Sequence, residues 1–395
     1  MTAAAAIEGI READPSGSIG VIGAEPHPPY NRPPLTKGLW KGEPLESIWR
    51  ANIKDAATLH LGRTARLLDP QLRQITDDQG TVYTYGKLLL ATGAAPRRLP
   101  FGGQTITYFR TLDDYHRLRA QTEHGERFAV IGGGFIGSEV TAALALNGKQ
   151  VVMVLPEEAI GSRVFPPDLA SFLNDYYRNK GVEVMTGASA VDCETRENKT
   201  VLTVRDVKTE AKREIMVDGV VAGIGVQPNV ELAQAAGLEV ENGIRVDVAL
   251  RTSHEDIYAA GDVASVYNST LNQWLRVEHE DNANSMGAYA GKAMANGGFS
   301  GLILAGRTAP YDHLPFFYSD LFELGYEAIG EVDSRLEMIA DWKDPFREGV
   351  VYYMRHGRVR GVLLWNVWEQ VEAARHLLDQ GGPFNAENLK GRLPA

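Results

Sequence analysis

An α/β fold followed by a C-terminal α+β module is what three features of this 395-residue sequence predict. Strand-length apolar runs alternate with helical patterns and are separated by many of its 41 glycines, which favours short strands and helices over a helical bundle. The stretch RFAVI-GGGFIG-SEVTAALALN, stopped at Gly148 and followed by QVVMVL, reads as strand, turn, helix and strand, a complete βαβ unit. After about residue 305 the texture changes to four strand patterns, YEAIGEV, LEMIADW, GVVYYMR and RVRGVLLWN. The last two are joined at His356-Gly357, a short hairpin turn, and a helix from about 367 to 378 follows them.

The elements are predicted in order as follows. Residues 3–13 form an Ala-rich amphipathic helix that ends at Pro15-Ser16-Gly17, and residues 18–23 form a strand. A Pro-punctuated loop runs from Pro26 to Gly42. Residues 85–100 are a buried strand running into a Gly-containing loop, and FRTLDDYHRLRAQTEHG is a helix with Thr111 as its N-cap before Asp113 and Asp114. The βαβ unit comes next. Residues 182–222 alternate strand patterns with polar turns, and residues 231–265 hold a helix, the short strand GIRVD and then DIYAAGDVAS.

Composition narrows the function. A net charge of −11 advertises no polyanion-binding surface and argues against a nucleic-acid partner. The single cysteine, Cys193, rules out a disulfide framework, a Cys-based zinc site and a dithiol pair within one chain. It lies in SAVDCETREN, a polar, turn-like stretch where an incidental thiol is expected. No run approaches the ~20 apolar residues of a membrane span, and MTAAAAIEG lacks the basic region and apolar block of a signal peptide. A cytoplasmic location is expected, and no metal site.

Gly132, Gly134 and Gly137, with Phe135 and Ile136 between the last two, fit G-x-G-x-x-G directly after a strand and directly opening a helix. The first glycine allows the tight turn, the second lets a pyrophosphate approach the backbone and the third lets helix pack on strand, so a dinucleotide site is predicted. The alternative is a Gly-rich turn without a ligand. Glu157 lies beyond the second strand of the unit, where a carboxylate can accept from both ribose hydroxyls and favour NAD. Glu158 competes for that role, and Arg163 could instead meet the 2′-phosphate of NADP. Glu25 ends a strand like a second ribose-holding acid, yet no Gly-rich turn precedes it, and PPYNRPPL reads equally as a surface PxxP segment. In IYAAGDVA a strand delivers Gly261 and Asp262, whose carboxylate either holds a sugar-alcohol hydroxyl or caps a helix.

AEPHPPYNRPPLTKGLW, LLLATGAAPRRLP, VIGGGFIGSEV, GIGVQPN, IYAAGDVA and RVEHEDNA occur in the order seen in FAD-dependent pyridine-nucleotide reductases. More narrowly the chain resembles the ferredoxin/rubredoxin-type reductases and bacterial relatives of apoptosis-inducing factor, the latter in VLPEEAIGSRVFPPDL and PFFYSDLFELGYEAIGEVDS. The resemblance implies two Rossmann-like domains, the NAD domain inserted in the FAD domain, plus a C-terminal interface domain. The boundaries expected are 1–105 and 227–304 for FAD, 106–226 for NAD(P) and 305–395 for the interface. It further implies that Glu25 holds the FAD adenosine ribose, Arg32 meets the pyrophosphate, Ala91, Thr92 and Gly93 approach by backbone, and Asp262 bonds the ribityl chain. Lys37 would sit beside flavin N5, paired with Glu139. Glu278 and His279 would lie by the isoalloxazine ring, Gly225 would contact cofactor, and Tyr318 would lie near the nicotinamide. Against these stand a solvated lysine at 37, acids that merely favour a helix N-terminus at 278, 280 and 281, and a core tyrosine at 318.

The activity so implied is hydride transfer from NAD(P)H, NADH preferred, to FAD, and electron release to a ferredoxin, a rubredoxin or a quinone. The loop NRPPLTK carries no sulfur where disulfide reductases have reactive cysteines, which leaves direct flavin-to-acceptor transfer. Two alternatives are a redox-responsive protein that dimerises like apoptosis-inducing factor, and an NAD-binding remnant with an incomplete FAD site. The family begins with a strand and Gly-rich turn that this sequence does not show, from which weakened FAD binding and an exposed sheet edge are expected. Arg355, Arg358 and Arg360 are the candidate basic patch for an acidic partner.

Overall fold

The computed structural model describes residues 1–197, 199–297 and 310–393. The chain divides into two compact units. One comprises residues 1–32, 45–95 and 227–316, the other residues 33–44, 96–226 and 317–395. The expected boundary between residues 304 and 305 lies outside the described residues.

In the first unit, strand Gly20–Gly23 pairs in parallel with Thr58–Leu61, and Leu88–Leu90 pairs in parallel with Ile257–Ala259. Among the described residues no ladder joins the two pairs. A three-stranded antiparallel sheet (Ala65–Asp69, Gln74–Asp77, Val82–Thr84) and a four-stranded sheet built on Gly243–Val246 and Ala264–Asn268 complete the unit. Its helices Thr2–Ala13 and Glu280–Ala295 pack backbone against backbone. Small residues make this possible: a Cβ on Gly9 would overlap the Ala288 carbonyl, one on Gly287 the Thr2 carbonyl and one on Gly291 the Ala6 carbonyl.

The second unit is built on a parallel sheet in the order Glu183–Met185, Gln150–Val154, Arg127–Ile131, Gly219–Ala222, Ile106–Tyr108. Beyond the opening Arg127 and Gln150 its central strands are apolar, because both faces are covered. Helix Leu112–His124 starts at the expected Thr111, whose hydroxyl accepts from Asp114 N while Asp114 Oδ2 accepts from Thr111 N at 2.8 Å, a reciprocal cap. The helix after the glycine turn begins at Phe135, not at Ser138, so Phe135 and Ile136 belong to its first turn.

The C-terminal sheet has five strands, one more than expected: Phe316–Leu321 precedes Leu324–Gly330, Glu337–Asp344, Glu348–Arg355 and Arg358–Trp365. His356 and Gly357 both adopt positive φ, +52° and +72°, the mirror-image turn that suits a two-residue hairpin. The helix behind the sheet is Val371–Asp379.

Two expectations are corrected here. Cys193 is not in a turn. It sits in strand Ala188–Arg196, paired with Leu202, is 5% exposed, and burial, followed by the Asp192 charge, pushes its thiol up to about 11. The basic patch is partly neutralised, because Arg355 and Arg360 both engage Glu331, at 2.7 and 2.9 Å.

Gly291→Val should lose about 1–3 kcal/mol in urea unfolding, while Gly20→Ala, with open space around the new methyl, should stay within about 1 kcal/mol of the parent. His279, at the start of helix Glu280–Ala295, has its imidazole lowered from 6.5 to about 4 by burial, against the opposing pull of Asp262 and Asp281. The unfolded chain therefore takes up this proton more readily. Stability is full above about pH 6.5 and falls towards pH 4 by up to about 3 kcal/mol. His279→Gln should flatten that part of the stability–pH curve.

Candidate functional site

The glycine turn of the second unit is shaped as its spacing predicts. Gly132 has φ +109°, and a Cβ there would overlap the Gly223 carbonyl. A Cβ on Gly137 would overlap the Gly132 carbonyl, so the helix sits against the strand only because both residues are glycine. Gly134 is different. It has ordinary backbone angles and no atom within 4 Å of where a Cβ would be, which leaves its face open at the N-terminus of a twelve-residue helix. That open face and the helix's positive end fit a dinucleotide pyrophosphate. Gly225 is exposed, with φ +90°, and its carbonyl accepts from Arg97 N.

Glu157 and Arg163, read as alternatives, are partners: Arg163 Nη2 lies 2.7 Å from Glu157 Oε1. The arginine is 85% exposed and the glutamate 28%. Glu158 points elsewhere, to Lys208 at 2.8 Å.

Lys37 and Glu139 are brought together at 2.6 Å, 13% and 4% exposed. The prolines upstream of Lys37 hold its segment in a tight turn, with Thr36 N bonded to Pro33 O and Lys37 N to Pro34 O. Downstream, Trp40 Nε1 donates to Leu35 O at 2.8 Å, its ring packs edge-on against Tyr115, and Asn147 Nδ2 donates to the Trp40 carbonyl. Lys37 Nζ lies 5.2 Å from the centroid of the Tyr318 ring, within cation–π range, and Tyr318 is 36% exposed, so it is not a core residue. Thr36 and Ser319, which the sequence did not single out, also donate to Glu139. Nothing local marks them, since they lie 103 and 180 residues from the carboxylate.

In the first unit Glu25 and Arg32 form an ion pair at 2.5 Å, and Tyr30 donates to the other Glu25 oxygen. Both charges, with those of Arg50 and Asp262, reach the amino group at the start of helix Thr2–Ala13. Burial first, then Arg32 and Arg50, push that group down to about 5. Two guanidinium groups and two carboxylates thus converge beside the start of this helix. Asp262 is 9% exposed, and its carbonyl accepts from Arg276 Nη1 at 3.1 Å. Arg276 also pairs with Glu278 at 2.5 Å. His279, half-buried, senses Asp262 and Asp281. Thr92 and Asn229 exchange side-chain to backbone bonds of 2.7 Å, and Gly93, at φ +66°, has open space beside it; Ala91 is half-buried next to them. Glu25, Arg32, Asp262 and His279 therefore share one neighbourhood, and these residues fit a phosphate-bearing sugar cofactor such as FAD.

Among the described residues no helix is long and apolar enough to cross a membrane. The pyridine nucleotide-disulphide oxidoreductase model matches residues 2–287, and the C-terminal model of mitochondrion-associated apoptosis-inducing factor matches residues 340–380. Monodehydroascorbate reductase 3 of Arabidopsis thaliana is 34% identical over 377 residues, 88% of this chain and 83% of that protein. The ferredoxin–NAD(+) reductase component of the anthranilate 1,2-dioxygenase system of Burkholderia cepacia is 33% identical over 398 residues, 97% of this chain and 93% of that protein. Among solved structures, the covalent putidaredoxin reductase–putidaredoxin complex matches with a TM-score of 0.87 and 27% identity, over 98% of this chain and 93% of that one. A model match over most of the chain and relatives above 30% identity lead to one assignment: the chain belongs to the pyridine nucleotide-disulphide oxidoreductase family.

Proposed function

We propose that this chain is an NADH-dependent FAD oxidoreductase that delivers electrons to a ferredoxin- or rubredoxin-type protein, with a quinone as the other acceptor the same chemistry serves. The observation that carries the reading is the pairing of Lys37 with Glu139, a buried carboxylate on the helix that opens at the glycine turn. The family's name refers to disulphides, but the one thiol here is buried in a sheet and held protonated, so thiol relay chemistry has no group to use. Near full-length similarity to a ferredoxin–NAD(+) reductase component supports the acceptor class.

FAD, when bound, supplies two-electron acceptance and one-electron release. The chain's own residues do the rest. Gly132, Gly134 and Gly137 with Phe135 and Ile136 seat the NADH pyrophosphate, Glu157 takes the ribose hydroxyls, Gly225 borders the nucleotide and Tyr318 borders its nicotinamide end. Glu25, Arg32, Ala91, Thr92, Gly93, Gly261 and Asp262 hold FAD, with Glu278 and His279 beside its ring. Lys37 offsets negative charge that develops on reduction, and Glu139 holds Lys37. We place the enzyme in the cytoplasm. The match over residues 340–380 favours one second reading, a protein whose NADH-reduced form is long-lived and dimerises.

Anaerobic addition of NADH to FAD-loaded protein should bleach the visible flavin band, and no bleaching would end the reading. Fast reoxidation by an iron–sulfur protein selects the first reading; slow reoxidation with NADH-dependent dimerisation in size-exclusion chromatography selects the second. Lys37→Met should slow flavin reduction by about 10²-fold with little change in NADH affinity. Gly134→Ala should weaken NADH binding about 10-fold or more with unchanged thermal stability, because the methyl meets ligand and not protein. Gly137→Ala, whose methyl meets the Gly132 carbonyl, should lower the melting temperature.

A further inference from the structure

Glu139 is 4% exposed, yet its carboxylate takes three donors from two other segments of its unit. Thr36 Oγ1 donates to Oε2 at 2.6 Å; Lys37 Nζ and Ser319 Oγ donate to Oε1, at 2.6 and 2.5 Å. Thr36 is 6% and Ser319 1% exposed. The surroundings are aromatic: burial first, and then the Glu139 charge, hold the Tyr177 and Tyr326 phenols well above their usual value.

The two hydroxyls grip opposite oxygens. Donors on Oε1 and Oε2 together fix the plane of the carboxylate, whereas the ammonium alone could follow it through many orientations. Strand alternation strengthens the arrangement. Ser319 points inward to Glu139, and its neighbour Tyr318 is 36% exposed, with its ring 5.2 Å from Lys37 Nζ. One strand thus touches both members of the ion pair.

We propose that Thr36 and Ser319 are positioning residues for Lys37: by clamping both oxygens of Glu139 they fix how far and in which direction the Lys37 ammonium reaches. This rests on the reading of Lys37 as the cation that offsets charge on the reduced flavin. Neither hydroxyl touches substrate. Their loss acts on the transition state through misplacement of a charge, so it slows reduction without loosening NADH.

The test uses the flavin-loaded full chain and the variants Thr36→Val, Ser319→Ala and the double substitution. In anaerobic stopped-flow reduction by NADH, the limiting rate of the double variant should fall about 10-fold or more, with the NADH dissociation constant within about 2-fold of the parent. Thr36→Ser and Ser319→Thr, which keep the hydroxyls, should restore the rate. A second readout needs no turnover: the 13Cε resonance of Lys37, assigned by its loss in Lys37→Met, should move and broaden in the double variant, because a carboxylate freed from both hydroxyls lets the ammonium sample several positions, and should keep its parental position in the hydroxyl-retaining variants. A double variant that is reduced at the parental rate, or hydroxyl-retaining variants that fail to recover, overturns the inference alone. A parent protein that NADH cannot reduce overturns the proposed function and the inference with it.

Discussion

A carboxylate taken almost wholly out of water must be met by donors, and Glu139 is the place in the second unit where this requirement organises the chain. The helix that carries it starts at the glycine turn. The proline segment supplies Thr36 and Lys37, and the first strand of the C-terminal sheet supplies Ser319. Segments far apart in sequence are thereby held to one point. The same contact that satisfies a buried charge also aims a lysine, so stability and the proposed chemistry draw on one set of bonds.

The two units share a second constraint, close backbone approach, and use it differently. In the first, Gly9, Gly287 and Gly291 let two helices lie against each other with carbonyls where side chains would otherwise be. In the second, Gly132, Gly137 and Gly223 press turn, helix and strand together, and Gly134 in the same turn keeps open space. Glycine therefore reads in two ways within one motif: where a methyl would strike protein the residue serves packing, and where it would strike nothing it serves a ligand.

Local signals were the legible ones. The strand–turn–helix–strand order around Gly132, the cap at Thr111 and the two-residue turn at His356-Gly357 each depend on neighbours in sequence, and each is found in the structure. The strand Phe316–Leu321 was hidden because PFFYSD shows no clean alternation. Cys193 was misplaced because its strand buries only Ala188 and Cys193, and the polar residues around the thiol look like a turn. Glu25 and Arg32 were legible as charges, but not as partners of each other. Thr36 and Ser319 left no trace, since a hydroxyl bonded to a carboxylate over a hundred residues away has no spacing to recognise.

The burial of Cys193 between the apolar faces of a sheet has a practical side. With no other sulfhydryl in the chain, and this one sealed and protonated, thiol-selective reagents find no accessible native thiol. A cysteine introduced at any exposed position would be the sole site for a fluorophore or spin label, so distances could be followed through a redox cycle on an otherwise unaltered molecule.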